Sequence, residues 1–166
     1  MASLRVASIL ESGIGGQLID AFAPELEALL SGIAERTKLP MDAIQTCGLA
    51  LHAGKEGWPE VSLAIQLTTA VPAKDLIEKW GVAASRTADG VTIYAGDALE
   101  SDAFYFEGKG EEPVSRFAIG SVTKISEVAE VEGGGILLPR NSQSLWDGTS
   151  GEADIVVLFA SPNFLF

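Results

Sequence analysis

Two stretches decide the fold: Cys47-Gly-Leu-Ala-Leu-His-Ala53 and Val61-Ser-Leu-Ala-Ile-Gln-Leu-Thr68. In the first, Cys47, Leu49, Leu51 and Ala53 alternate with Gly48, Ala50 and His52. In the second, Val61, Leu63, Ile65 and Leu67 alternate with Ser62, Ala64, Gln66 and Thr68. A period of two belongs to a strand, whose successive side chains point to opposite faces of a sheet. The intervening Gly54-Lys-Glu-Gly-Trp-Pro59 is turn chemistry. The pair is therefore expected as an antiparallel hairpin with a large apolar face, forming core, and a small or polar face.

Upstream, Leu4 to Leu10 reads as a strand ending at the turn Glu11-Ser-Gly-Ile-Gly-Gly16. From Gln17 onward, Leu18, Ile19, Phe22, Leu26, Leu29, Leu30 and Ile33 recur at three- and four-residue intervals, the face of a long amphipathic helix. Pro24 is expected to kink or divide it, because proline removes a helical hydrogen bond and crowds the preceding turn. Pro40-Met-Asp-Ala-Ile44 adds one short turn. Downstream, Pro72 opens a helix with Leu76, Ile77 and Trp80 on one face, and Gly81 suits the left-handed position just past its end. Val82 to Thr87 and Val91 to Ala95 flank Asp89-Gly90, a tight hairpin turn.

This order is β-α-β-β-α-β, the ferredoxin-like start of an α+β fold: an antiparallel sheet with helices mainly on one face. Phe104 to Glu107 and Ser115 to Gly120 extend it with strands. A helix beginning at Ser121 carries Val122, Ile125, Val128 and Ala129 as far as Gly133-Gly-Gly. A further helix is expected over Asn141 to Trp146, and a strand over Asp154 to Ala160. No repeat, low-complexity stretch or linker divides the 166 residues, which read as a single domain.

With 47% hydrophobic and 20% charged residues, the chain has the composition of a packed protein. Eleven basic residues against 23 acidic ones leave a formal charge of −12, which repels phosphates and anionic headgroups and excludes general nucleic-acid binding. No run approaches the ~20 apolar residues of a membrane-spanning helix, so no membrane insertion by this chain is expected, and the opening Met1-Ala-Ser-Leu-Arg-Val6 lacks signal-peptide character. Cys47 is the single cysteine, so no disulfide forms within the chain, and a buried small hydrophobe is its expected role. The apolar end at Phe164-Leu-Phe166 suggests a piece of a longer protein.

Each candidate site is thin. Gly13, Gly15 and Gly16 lie between a strand and a helix, where a phosphate loop would stand. However, Leu18 falls where a dinucleotide fingerprint needs its third glycine, and no Gly-Lys-Ser/Thr follows. His52 is the only histidine, and with one cysteine it cannot assemble an ordinary zinc site or an activated nucleophile. Asp97, Glu100 and Asp102, followed by Glu107, Glu111 and Glu112, have the carboxylate chemistry of a hard-cation site but lack its alternation and its turn glycine. Gly148-Thr-Ser-Gly-Glu152 lacks the fifth-position glycine of a nucleophile elbow. Trp58, at the hairpin tip, could anchor a partner, whereas Trp146 suits a core. No cofactor or metal is called for.

Phe117-Ala-Ile-Gly-Ser121, Ile125-Ser-Glu-Val128 and Val157-Leu-Phe-Ala-Ser-Pro-Asn-Phe-Leu-Phe166 together resemble a segment of large uncharacterised planctomycete proteins. The resemblance covers the C-terminal third and carries no catalytic residues. It implies a module of a longer, membrane-tethered bacterial protein; the localisation stays open between an extracytoplasmic part of such a protein and the cytoplasm.

The resulting expectation is a non-enzymatic binding or structural module of a larger bacterial protein that mediates protein interaction or assembly, with a protein partner or a homo-oligomer, resting on the apolar terminus and on open strand edges. The alternative is a small-molecule-binding regulatory domain with a pocket near the Gly13 to Gly16 turn. An enzyme with a dispersed site comes third.

Overall fold

A computed structural model describes residues 2–4, 23–53, 59–86, 91–96, 102–106, 112–131 and 155–157. Its elements are β1 (Ala2–Leu4), α1 (Ala23–Thr37), a 3₁₀ turn (Met41–Ala43), β2 (Ile44–Ala53), β3 (Pro59–Pro72), α2 (Ala73–Trp80) and β4 (Ala83–Arg86). They continue with β5 (Thr92–Ala95), β6 (Ala103–Tyr105), β7 (Pro113–Gly120), α3 (Val122–Glu130) and β8 (Ile155–Val157).

The deciding hairpin forms as its alternation predicts. β2 and β3 pair antiparallel, with Cys47 opposite Ile65, Leu49 opposite Leu63 and Leu51 opposite Val61. Cys47, Leu63, Ile65 and Leu67 are buried, while Ala64, Gln66 and Thr68 on the other face are exposed. The large face is core except at its tip, where Leu51 is 61% exposed.

All the described strands join one antiparallel sheet in the order β4-β5-β6-β7-β3-β2-β1-β8. Among the described residues, the β-α-β-β-α-β chain order runs from β1 to β4. The spatial order is not that of a ferredoxin-like sheet, which interleaves β1 between β3 and β4. Here β3 is paired along one edge by β2 and along the other by β7, where Leu63 faces Ile119 and Ile65 faces Phe117. With both edges of β3 taken, β1 adds outside β2, and β4 is carried to the far end by its hairpin with β5.

The register carries the core across the molecule. Leu49, Leu63, Ile119, Phe104, Tyr94 and Ala84 stand side by side on six successive strands. Above this face, α1 contributes Ile33 and α2 contributes Leu76 and Trp80. The Trp80 ring stacks on Phe104 with centroids 4.0 Å apart and meets Phe117 at 5.0 Å, and Tyr94 stacks on Phe106 at 4.6 Å.

α3 lies on the opposite face, over β5, β6 and β7. The small residues Gly120, Ala103 and Ala95 adjoin one another in the register there, which lets the helix seat Ile125 and Ala129 close to the sheet. Two of the three described helices thus share one face. Ile125 and Ala129 are the buried residues of α3, whereas Val122 and Val128 are each 45% exposed, so the nine-residue helix buries only a narrow stripe.

Helix ends follow the residues that stop them. Pro24 is the second residue of the described α1, and the Gln17 to Phe22 part of the expected helix, on the other side of the proline, lies outside the described residues. Gly81 takes φ 70° after α2 and donates its N–H to the carbonyls of Ile77 and Glu78. α1 and α2 cap one another: the Trp80 indole N–H donates to the Thr37 carbonyl at 2.9 Å, and the Lys38 ammonium donates to the carbonyls of Lys79 and Trp80. This anchorage holds Lys38 at φ 53°, a conformation side chains rarely adopt. The expected Asn141 to Trp146 helix, the Asp89-Gly90 turn and the Gly133-Gly-Gly stop lie outside the described residues.

Candidate functional site

Of the candidates drawn from the sequence, Gly13, Gly15, Gly16, Trp58, Asp97 and Glu100 lie outside the described residues, and His52 is described by its backbone alone. His52 stands opposite Glu60 in the β2–β3 register. Asp102 is fully described. It precedes β6 and accepts both forks of the Arg36 guanidinium, with Nε to Oδ2 at 2.9 Å, while the Arg36 Nη1 donates to the Val61 carbonyl at 3.1 Å. One arginine thus ties α1 to β3 and to the start of β6, and Asp102 is committed to it rather than open to a cation.

Both partners are about 30% exposed, at 28% and 30%, so solvent screens the pair. Asp102→Asn is expected to cost about 1 kcal/mol in urea unfolding at low salt and less in concentrated salt. A loss independent of salt would mean that the bond matters only as packing.

The one cysteine is inert for a physical reason. Cys47 is fully buried on the core face, and burial pushes its thiol from 9.0 up to about 11, against a smaller opposing pull from Arg36. It is protonated at neutral pH and no nucleophile. The folded state holds the proton more tightly than the unfolded state. The resulting stabilisation is therefore complete below about 9.0 and is lost as pH rises toward about 11. Cys47→Ala is expected to flatten the fall in stability across that alkaline window, and native protein should resist thiol-specific alkylation at neutral pH.

A polar group absent from the sequence reading gathers where α3 begins. Ser121 stands at the N-cap, but its Oγ donates to Glu60 Oε2 at 3.0 Å instead of capping the helix, which fastens α3 to β3. Beside it, Ser62 Oγ is buried without a hydrogen-bond partner among the described residues, and a Cβ on Gly120 would lie only 2.7 Å from it. The sequence marks Ser121 as a helix start and Ser62 as a residue of the polar strand face, but neither signal says that the two meet. Among the described residues, no three His, Cys, Asp or Glu side chains are grouped to hold a metal ion.

The remaining feature is the β4 edge. The register Ala83 to Ala95, Ala84 to Tyr94, Ser85 to Ile93 and Arg86 to Thr92 uses one side of β4, and no described strand pairs with the other. In an antiparallel ladder every second residue turns its N–H and C=O to the far side, so this edge presents backbone donors and acceptors. Ala83, Ala84 and Ser85 are exposed, and β4 contains no proline or lysine to block pairing. What the edge can do chemically is accept another extended backbone.

No helix among the described residues is long and apolar enough to cross a membrane. No family model, curated protein or solved structure matches the chain.

Proposed function

We propose that this domain is a non-enzymatic interaction module that recruits an extended segment of a protein partner onto β4. The observation that supports it is the outer edge of β4: four residues, three of them small and exposed and none a proline or lysine, at the end of the sheet formed by the described strands. Main-chain hydrogen bonds supply affinity in such strand addition, and alternate side chains supply specificity. The same reading takes the chain as a module of a larger bacterial protein, as the planctomycete resemblance implies.

Native mass spectrometry combined with backbone hydrogen exchange tests the proposal. A discrete assembly, or a complex with an added strand-forming peptide, should slow exchange specifically in Ala83–Arg86. A monomer that keeps a reproducible small added mass, with β4 exchanging freely throughout, would overturn it and favour a small-molecule-binding domain.

A further inference from the structure

Resting on that reading, we infer that the strand recruited by β4 is a basic segment with a large apolar residue opposite Ala84, and not a second copy of this chain. Two observations specify the partner independently. The first is shape. The core row runs Leu49, Leu63, Ile119, Phe104 and Tyr94, large at every strand, and stops at Ala84, which is exposed. β4 is Ala-Ala-Ser-Arg, so along this row the last large side chain is Tyr94, one strand in from the edge. An added strand lies about 4.8 Å beyond β4, and a large side chain facing Ala84 would continue the row of the core face over a residue that leaves it room.

The second is charge. The chain carries 11 basic and 23 acidic residues, so pairing two copies edge to edge would bring together two bodies of −12 each. β4 itself holds no acidic residue, and the attraction is that of the whole molecule: it speeds the encounter with cationic segments and disfavours anionic ones. The shape decides which side chain sits at the centre of the partner, and the charge decides what flanks it.

The test uses the full chain and two synthetic peptides that share a central alternation of valine and threonine, one flanked at both ends by lysines and the other by glutamates. Binding is followed by fluorescence anisotropy, and exchange protection of Ala83–Arg86 is measured in the same samples. At low ionic strength the lysine peptide should bind at least ~10-fold tighter than its twin and protect β4, with the gap closing as salt shortens the screening length to a few ångströms. Changing the central valine to glycine should weaken binding several-fold without altering its salt dependence.

Ala84→Pro and Ser85→Pro, made separately, find the outward donor, because proline removes an N–H from alternate sides of the strand. One variant should keep the parent melting temperature and lose the peptide. Equal binding of both peptides with β4 protected would sink the charge inference and leave strand recruitment standing. Lysine-peptide binding that leaves β4 unprotected would overturn the inference, since charge alone would then explain it. Protection of β4 by neither peptide, or by self-association at low salt, would remove the basic partner altogether, and the first of these would remove strand recruitment as well.

Discussion

Trp80→Ala is expected to destabilise the fold by roughly 3–5 kcal/mol, the range for deleting a large buried aromatic. Trp80 is 5% exposed, lies flat on Phe104 and against Phe117, and reaches past the core to donate its indole N–H to the last carbonyl of α1. Truncation would leave a cavity between α2 and the sheet and strand a buried carbonyl. Trp80→Phe separates the two effects. It keeps most of the stacking surface and loses the hydrogen bond, at about 1–2 kcal/mol. Urea unfolding of the three proteins reads both numbers. If alanine cost little more than phenylalanine, the stacked cluster would not be the centre of the core.

The second large effect concerns a residue with no side chain. Gly120→Ala should cost about 1–3 kcal/mol, because the new methyl meets Ser62 Oγ at 2.7 Å and Ser62 Cβ at 3.3 Å in a row where α3 is already seated. Gly120 has no unusual backbone angle to protect, so its requirement is space alone. Ser62→Ala in the parent chain should be neutral or slightly stabilising, since the hydroxyl is buried without a partner and removing it discards an uncompensated desolvation cost. Combined with Gly120→Ala, it should recover a good part of the loss. Thermal melts of the four proteins form a double-mutant cycle, and strict additivity would show that the two positions do not press on one another.

Much of the fold was legible in the residues because the signals are local. Alternation at Cys47 to Ala53 and Val61 to Thr68 gave the hairpin and its inward face, and Pro72 with Gly81 bounded α2 to the residue. Leu51 was misplaced because periodicity says which way a side chain points, whereas burial needs something opposite it. The candidate site was less legible. Asp102 looked like one carboxylate in a loose acidic run, and its meaning changed when Arg36, 66 positions earlier, proved to hold it.

Composition and local pattern settled the α+β class, the strand and helix types and the net acidic charge, which rest on residue counts and on neighbours a few residues apart. Which strand ends the sheet could not be had that way. β4 reads like any other arm of a hairpin, and it stands at an edge because β5 takes one of its sides and no described strand takes the other. The choice among pairings is made by long-range burial of one large face, a sum over distant contacts that no short window of sequence contains. The edge, and with it the proposed binding surface, therefore belongs to the tertiary structure.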